Sequence, residues 1–114
     1  MENNSDLLRA TLETVILEVI TGGATYGYEI ARALDSSSNG KLFAQEGTLY
    51  PALHRLEKRG YLKAAWKQSP EGRRRKHYAL TGEGRKYLEA ARAEWQSFSK
   101  VVNRILGLSH VRLC

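Results

Sequence analysis

Between Gly60 and Thr81 the apolar residues stop recurring at helical spacing and alternate instead, and after Thr81 the helical period returns. Leu62, Ala64 and Trp66 alternate with Lys63, Ala65 and Lys67, which reads as a strand. Ser69–Pro70–Glu71–Gly72 is a turn, and residues 74–80 alternate again, with Tyr78 and Leu80 inward and Arg75, His77 and Ala79 outward. A single hairpin set among helices is only marginally stable on its own. It must therefore lean on helices that precede and follow it, which restricts the chain to a mainly α, α+β arrangement.

Three helices are expected before the hairpin. The first runs from about Ser5 to Thr21, with Leu8, Leu12, Val15, Ile16, Val19 and Ile20 on one broad face, and ends at Gly22–Gly23. The second runs from Thr25, an N-cap type, to Leu34, with Tyr28, Ile30, Ala31 and Leu34 as inner residues. Ser36 to Gly40 is a loop. The third segment, Thr48 to Arg59, divides cleanly: Leu49, Leu53 and Leu56, with Ala52 beside them, face inward. Thr48, Tyr50, Pro51, His54, Arg55 and Lys58 occupy the opposite side. Proline is tolerated only near the first turn, where its missing N–H has no intrahelical partner, so Pro51 places the start close to Thr48. Gly60 ends it.

Thr81 caps a last helix, with Glu83 in its first turn, where the dipole favours an acid. Leu88, Ala91, Trp95, Phe98, Val102 and Ile105 step by three and four residues, a seam with apolar residues at both heptad core positions. About 25 residues of helix reach roughly 37 Å. A helix that long overhangs a small domain, and its seam calls for a second copy of the chain.

Charge adds a direction. Residues 54–78 hold nine basic residues against two acids, a local +7 in a chain whose net charge is +6. Concentration of this kind marks a polyanion site, with nucleic acid the leading candidate; a solvated basic face is the bland alternative. The one cysteine, Cys114, allows no intrachain disulfide and no thiolate metal cage, which fits a reducing cytoplasm. No apolar run approaches the roughly 18 residues of a membrane span, and the polar, acidic start at residues 1–6 is unlike a signal peptide. The three histidines lie on separate elements, no phosphate-binding glycine loop is present, and paired carboxylates cannot be placed. The sequence therefore offers no enzyme site, and neither metal nor cofactor is expected.

Helix, helix, helix, basic hairpin and long helix is the order of a winged helix-turn-helix with a dimerisation helix added. In that arrangement the third helix presents residues to the edges of bases in a major groove, and the hairpin wing brings Arg73, Arg74, Arg75 and Lys76 to flanking phosphates. A winged helix that binds protein and responds to no ligand is the alternative, but it would show an acidic or apolar third-helix face, and here that face is neutral to basic.

Tyr26–Gly27–Tyr28–Glu29–Ile30, the run from Gly47 to Glu57, Gly60–Tyr61–Leu62 and the run from Arg75 to Thr81 together resemble the PadR family of bacterial transcriptional regulators. The single trailing helix is similar to the short subfamily. The resemblance implies a homodimeric repressor on double-stranded, pseudo-palindromic operator DNA, released by a small planar aromatic or drug-like effector. Residues 1–80 would be the DNA-binding part and 81–114 the dimerisation helix and tail, in one structural unit. Thr48, Tyr50 and His54 are the expected groove contacts, with Pro51 beside them on the DNA-binding face and Arg55 and Lys58 closer to the backbone; a packing role at the helix start is the alternative for Tyr50, and Tyr28 is expected in the core. Trp95 is either a dimer-core residue or, with Phe98, Leu8, Leu12 and Val15, the lining of a flat ligand slot between protomers.

Overall fold

The computed structural model describes residues 2–40 and 46–108, with side chains from Arg9 and, after the gap, from Thr48. The elements follow in the order α1 (Glu2–Thr21), α2 (Gly27–Ser37), α3 (Glu46–Lys58), β1 (Leu62–Gln68), β2 (Arg74–Leu80) and α4 (Gly82–Leu106). The strands form one antiparallel pair in which Leu62 faces Leu80 and Gln68 faces Arg74. This is the winged helix-turn-helix expected of the sequence, with a 25-residue final helix.

One core lies under all six elements. Ile16, Leu17 and Ile20 of α1 meet Ile30 and Leu34 of α2, Leu49, Leu53 and Leu56 of α3, Leu62, Tyr78 and Leu80 of the sheet, and Leu88 of α4. Pro51 stands a little further into α3 than its chemistry favours, because α3 starts at Glu46. The hairpin turn closes by the Ser69 N–H donating to the Arg73 carbonyl at 2.6 Å, with Gly72 at φ 90°, a left-handed conformation suited to glycine.

Two expectations about α2 are corrected. Thr25 is not its cap: α2 begins at Gly27, and Tyr26 holds the cap position without a side-chain bond. Thr25 is drawn instead to β2, where its carbonyl accepts from the Tyr78 N–H and its hydroxyl bonds His77 Nδ1 at 2.8 Å. Tyr28 is not a core residue but 61% exposed. The inward stripe is Gly27, Ile30 and Leu34, and one residue of offset turns Tyr28 about 100° away from it.

The wing loses cover along its length. Leu62 is buried, yet Trp66 on the same face is 58% exposed, since no element lies beneath the outer half of β1. At the other end Thr81 ties α4 down: its hydroxyl accepts from the Gly84 N–H at 3.0 Å and donates to the Gly60 carbonyl at 2.6 Å. A Cβ on Gly84 would run into the Tyr61 carbonyl oxygen, so glycine is what lets the root of α4 lie against the start of β1. Gly107, left-handed at φ 74°, closes the far end.

Candidate nucleic-acid interface

The start of α3 and the returning arm of the wing face each other across a groove of about 780 Å³. Tyr50 and His54 project into it from α3, and Arg73, Arg74, Arg75 and Lys76 line it from the wing. Sequence spacing placed these two groups 19 or more residues apart; the fold brings them to one surface. Thr48, Pro51 and Lys58 are exposed on α3 but do not line the groove.

The cations are not all equally available. Arg74 lies over the Trp66 ring at 5.2 Å and Arg75 over the Tyr26 ring at 4.4 Å, contacts that pre-arrange guanidinium groups without neutralising them. Arg75 also stands 3.6 Å from Glu71, whose carboxyl a hydrogen bond with Ser69 holds below the usual range. Lys76 reaches back to Glu57 of α3 at 3.1 Å, a bond that raises its pKa, and its ammonium stands 5.5 Å from the Tyr78 ring. Burial in turn pushes the Tyr78 hydroxyl up. Lys76 thus pins the wing to α3, while Arg73 and Arg74 stay free to meet an outside anion.

Tyr50 both lines the groove and packs against the body of the domain. It is 47% exposed toward the groove, yet its ring packs so closely on Gly27 that a Cβ there would stand 2.6 Å from the hydroxyl. Arg55 is turned elsewhere: its Nε donates to Glu13 of α1 at 2.9 Å. Sequence reasoning missed three aromatic walls of the groove, Tyr26, Tyr28 and Trp66. The signal was present in part, since aromatic residues interleaved with a basic run are a nucleic-acid pattern.

On α4 the seam is fully buried only at its root. Leu88 is buried and Ala91 half-buried, but Trp95, Phe98 and Ile105 are 54%, 58% and 77% exposed, and Val101 and Leu106 add apolar surface that the seam did not include. Trp95 and Phe98 tilt against each other with ring centroids 6.4 Å apart. Val102, Leu12 and Val15 are half-buried, and the Leu8 side chain lies outside the described residues. Arg92 ties α4 to Glu18 of α1 at 3.0 Å. Among the described residues no helix is long and apolar enough to cross a membrane, and no three His, Cys, Asp or Glu side chains are grouped to hold a metal ion.

The model of the transcriptional regulator PadR-like family matches residues 16–90. The chain belongs to the PadR family. Solved structures agree with this. A transcriptional regulator from Clostridium thermocellum is 36% identical, with a TM-score of 0.77 over 87% of this chain and 96% of the other. A PadR-like regulator from Bacillus cereus is 35% identical, with a TM-score of 0.77 over 89% and 96%. A PadR family regulator from Clostridium difficile is 37% identical, with a TM-score of 0.72 over 83% and 97%. The matched span runs from the core of α1 through the groove to the root of α4, so the groove lies within the part of the PadR fold that this chain shares. The chain is thus a DNA-binding transcriptional regulator by family.

Proposed function

We propose that the protein is a cytoplasmic homodimeric repressor that reads a pseudo-palindromic operator. Residues 1–80 form the DNA-binding part, and residues 81–114 form the dimerisation helix and tail. In this reading Thr48, Tyr50, Pro51 and His54 enter the major groove, Lys58 lies near the backbone, Arg73, Arg74 and Arg75 hold the flanking phosphates, and Lys76 holds the wing to α3 beside them. The observation that carries the reading is the groove itself, where polar residues of α3 and a row of cations on the wing share one concave face. The stripe of exposed Trp95, Phe98 and Ile105 with half-buried Val102 supports a paired α4 as the dimer seam, half-sites then lying about one helical turn apart.

The test is fluorescence anisotropy of a labelled operator duplex, selected from random sequence, across a series of salt concentrations. Replacing Arg73, Arg74 and Arg75 by alanine lowers the magnitude of the log–log salt slope by roughly 0.9 for each phosphate that the wing no longer holds. An unchanged slope removes the wing from the interface. Thr48→Ala and His54→Ala shift the preference among sequences more than the overall affinity.

The release step belongs to the same reading. Trp95 is too wide for tight pairing of two helices, so the two α4 helices stand apart beside it and leave an apolar slot, walled by Phe98, Leu12 and Val15, for a planar aromatic effector. Stacking on the indoles contributes about 0.5–1.5 kcal/mol per ring pair beyond area burial. The effector releases DNA by preferring a dimer with differently spaced recognition helices. Flat hydrophobic dyes titrated against Trp95→Ala and wild type decide it: equal affinity for both proteins removes Trp95 from the site.

A further inference from the structure

Glu13 is 3% exposed, the buried charged side chain among the described residues, and no part of the groove or the α4 seam uses it. Its two carboxylate oxygens divide between two arginines one turn apart at the end of α3. Oε2 accepts from Arg55 Nε at 2.9 Å, and Oε1 accepts from Arg59 Nη1 at 3.1 Å. Arg59 is held from its other side, 5.1 Å from the Tyr61 ring and 5.5 Å from the Tyr87 ring, and those two rings stack at 4.4 Å. One carboxylate therefore joins α1 to α3, and through Arg59 to the start of β1 and to α4.

A hydrophobic stripe alone allows a helix to roll, because leucine contacts are non-directional. A carboxylate with a separate charged hydrogen bond to each oxygen is directional and short. We infer that Glu13 is the positioning residue of the recognition helix: by fixing Arg55 and Arg59 it sets the roll of α3, and with it the aim of Tyr50 and His54. At a side-chain radius of roughly 6 Å, a roll of about 10° moves a contacting atom by about 1 Å, enough to spoil a hydrogen bond to a base edge. Arg55 accordingly acts through Glu13 and not on a phosphate.

This inference rests on the proposed reading of α3 as the DNA-reading helix, and the experiment separates the two. Wild type, Glu13→Gln, Glu13→Asp and Arg55→Gln are titrated with the selected operator and with a scrambled duplex of equal length, at a temperature where circular dichroism shows each protein folded. Gln keeps the size of Glu but removes the charge that both arginines need. The ratio of the two affinities is the readout, since a change of net charge alone moves both together. Glu13→Gln lowers the ratio by about tenfold or more, the range in which single base contacts discriminate. Arg55→Gln also lowers it and leaves the salt slope intact, and Glu13→Asp recovers part of the ratio. Should Glu13→Gln fail to fold, Arg55→Gln, which leaves the Arg59 bond in place, decides the matter. A ratio within twofold of wild type in the folded variants overturns the positioning role. A slope reduced by about 0.9 per protomer in Arg55→Gln overturns it as well, returning Arg55 to the phosphates. A wild type with no preference between the duplexes refutes instead the reading on which the inference rests.

Discussion

Gly27→Ala places stability and DNA binding in opposition. A Cβ at Gly27 would stand 2.6 to 2.9 Å from the Oη, Cε1 and Cζ atoms of Tyr50, whereas carbon atoms pack at about 3.5–4.0 Å. The ring must retreat by about 1 Å. Because these atoms form the far end of a side chain that is 47% exposed, a small swing suffices and the protein core is left alone. The helix gains from losing glycine, by at most about 0.5–1 kcal/mol, so the melting temperature holds or rises slightly. Binding moves the other way. In the proposed reading, a Tyr50 hydroxyl displaced by 1 Å loses a hydrogen bond to DNA, which contributes about 1.5 kcal/mol when the acceptor is charged, or tenfold in Kd per protomer. Two protomers on one operator make the loss approach a hundredfold. The assay is anisotropy on the selected operator with parallel thermal melts, and Tyr50→Phe is the control that removes the hydroxyl in place. An unchanged Kd in a Gly27→Ala protein of unchanged stability would refute the argument, leaving Tyr50 a packing residue only.

Gly84→Ala shows the contrary outcome, since its Cβ meets backbone that cannot swing aside. Overpacking there costs about 2 kcal/mol and lowers the melting temperature by about 10 °C, measured by circular dichroism. Val102→Asp puts a charge into the α4 seam, and sedimentation velocity finds dimer for wild type and monomer for the variant at micromolar concentration. Lys76 and Tyr78 both hold their protons more tightly folded than unfolded, the lysine through Glu57 and the tyrosine through burial. Their contribution is therefore full below the unfolded values of 10.5 and 10.0 and is lost as pH rises through the folded ones. Urea midpoints fall above about pH 10, and Glu57→Gln, which removes the cause of the lysine shift, makes that fall shallower.

What could be read from the sequence was local. Thr81, Gly60 and the Ser69–Gly72 turn each impose a conformation on their own few residues, and the element boundaries they implied agree closely with the hairpin and the long helix. Pro51 gave the start of α3 to within two residues. Tyr28 was misplaced because Gly27, its neighbour in sequence but about 100° away around the helix, is the residue that turns inward and fits beneath Tyr50. Thr25 has the chemistry of a cap, and only the approach of β2, about 50 residues on, gives it a stronger partner in His77. The Glu13 network was invisible for the same reason. An acid among Leu12, Val15 and Ile16 signals a buried charge, but its arginines stand 42 and 46 residues away and no spacing rule connects them. The polar face of α3 and the basic run of the wing were legible as the two sides of the groove; the sequence could not say which of the cations there were already engaged.

The overhang of α4 gives this small protein a mechanical lever. Its root is clamped at Thr81, Gly84 and Leu88, while the exposed part of its apolar stripe begins at Trp95 and extends to the helix end, in a molecule 53 Å long and 32 Å across. Over the arm of about 27 Å from Leu88 to Leu106, a tilt of about 5° displaces the free end by roughly 2 Å. In the proposed dimer the free ends are the ones held together, so the same tilt swings the two DNA-binding bodies instead, and each recognition helix moves by a comparable amount along its groove. Base contacts tolerate far less than such a shift. In the proposed release step, a guest that wedges the two arms open by a few degrees near Trp95 therefore needs no contact with the groove at all to empty it.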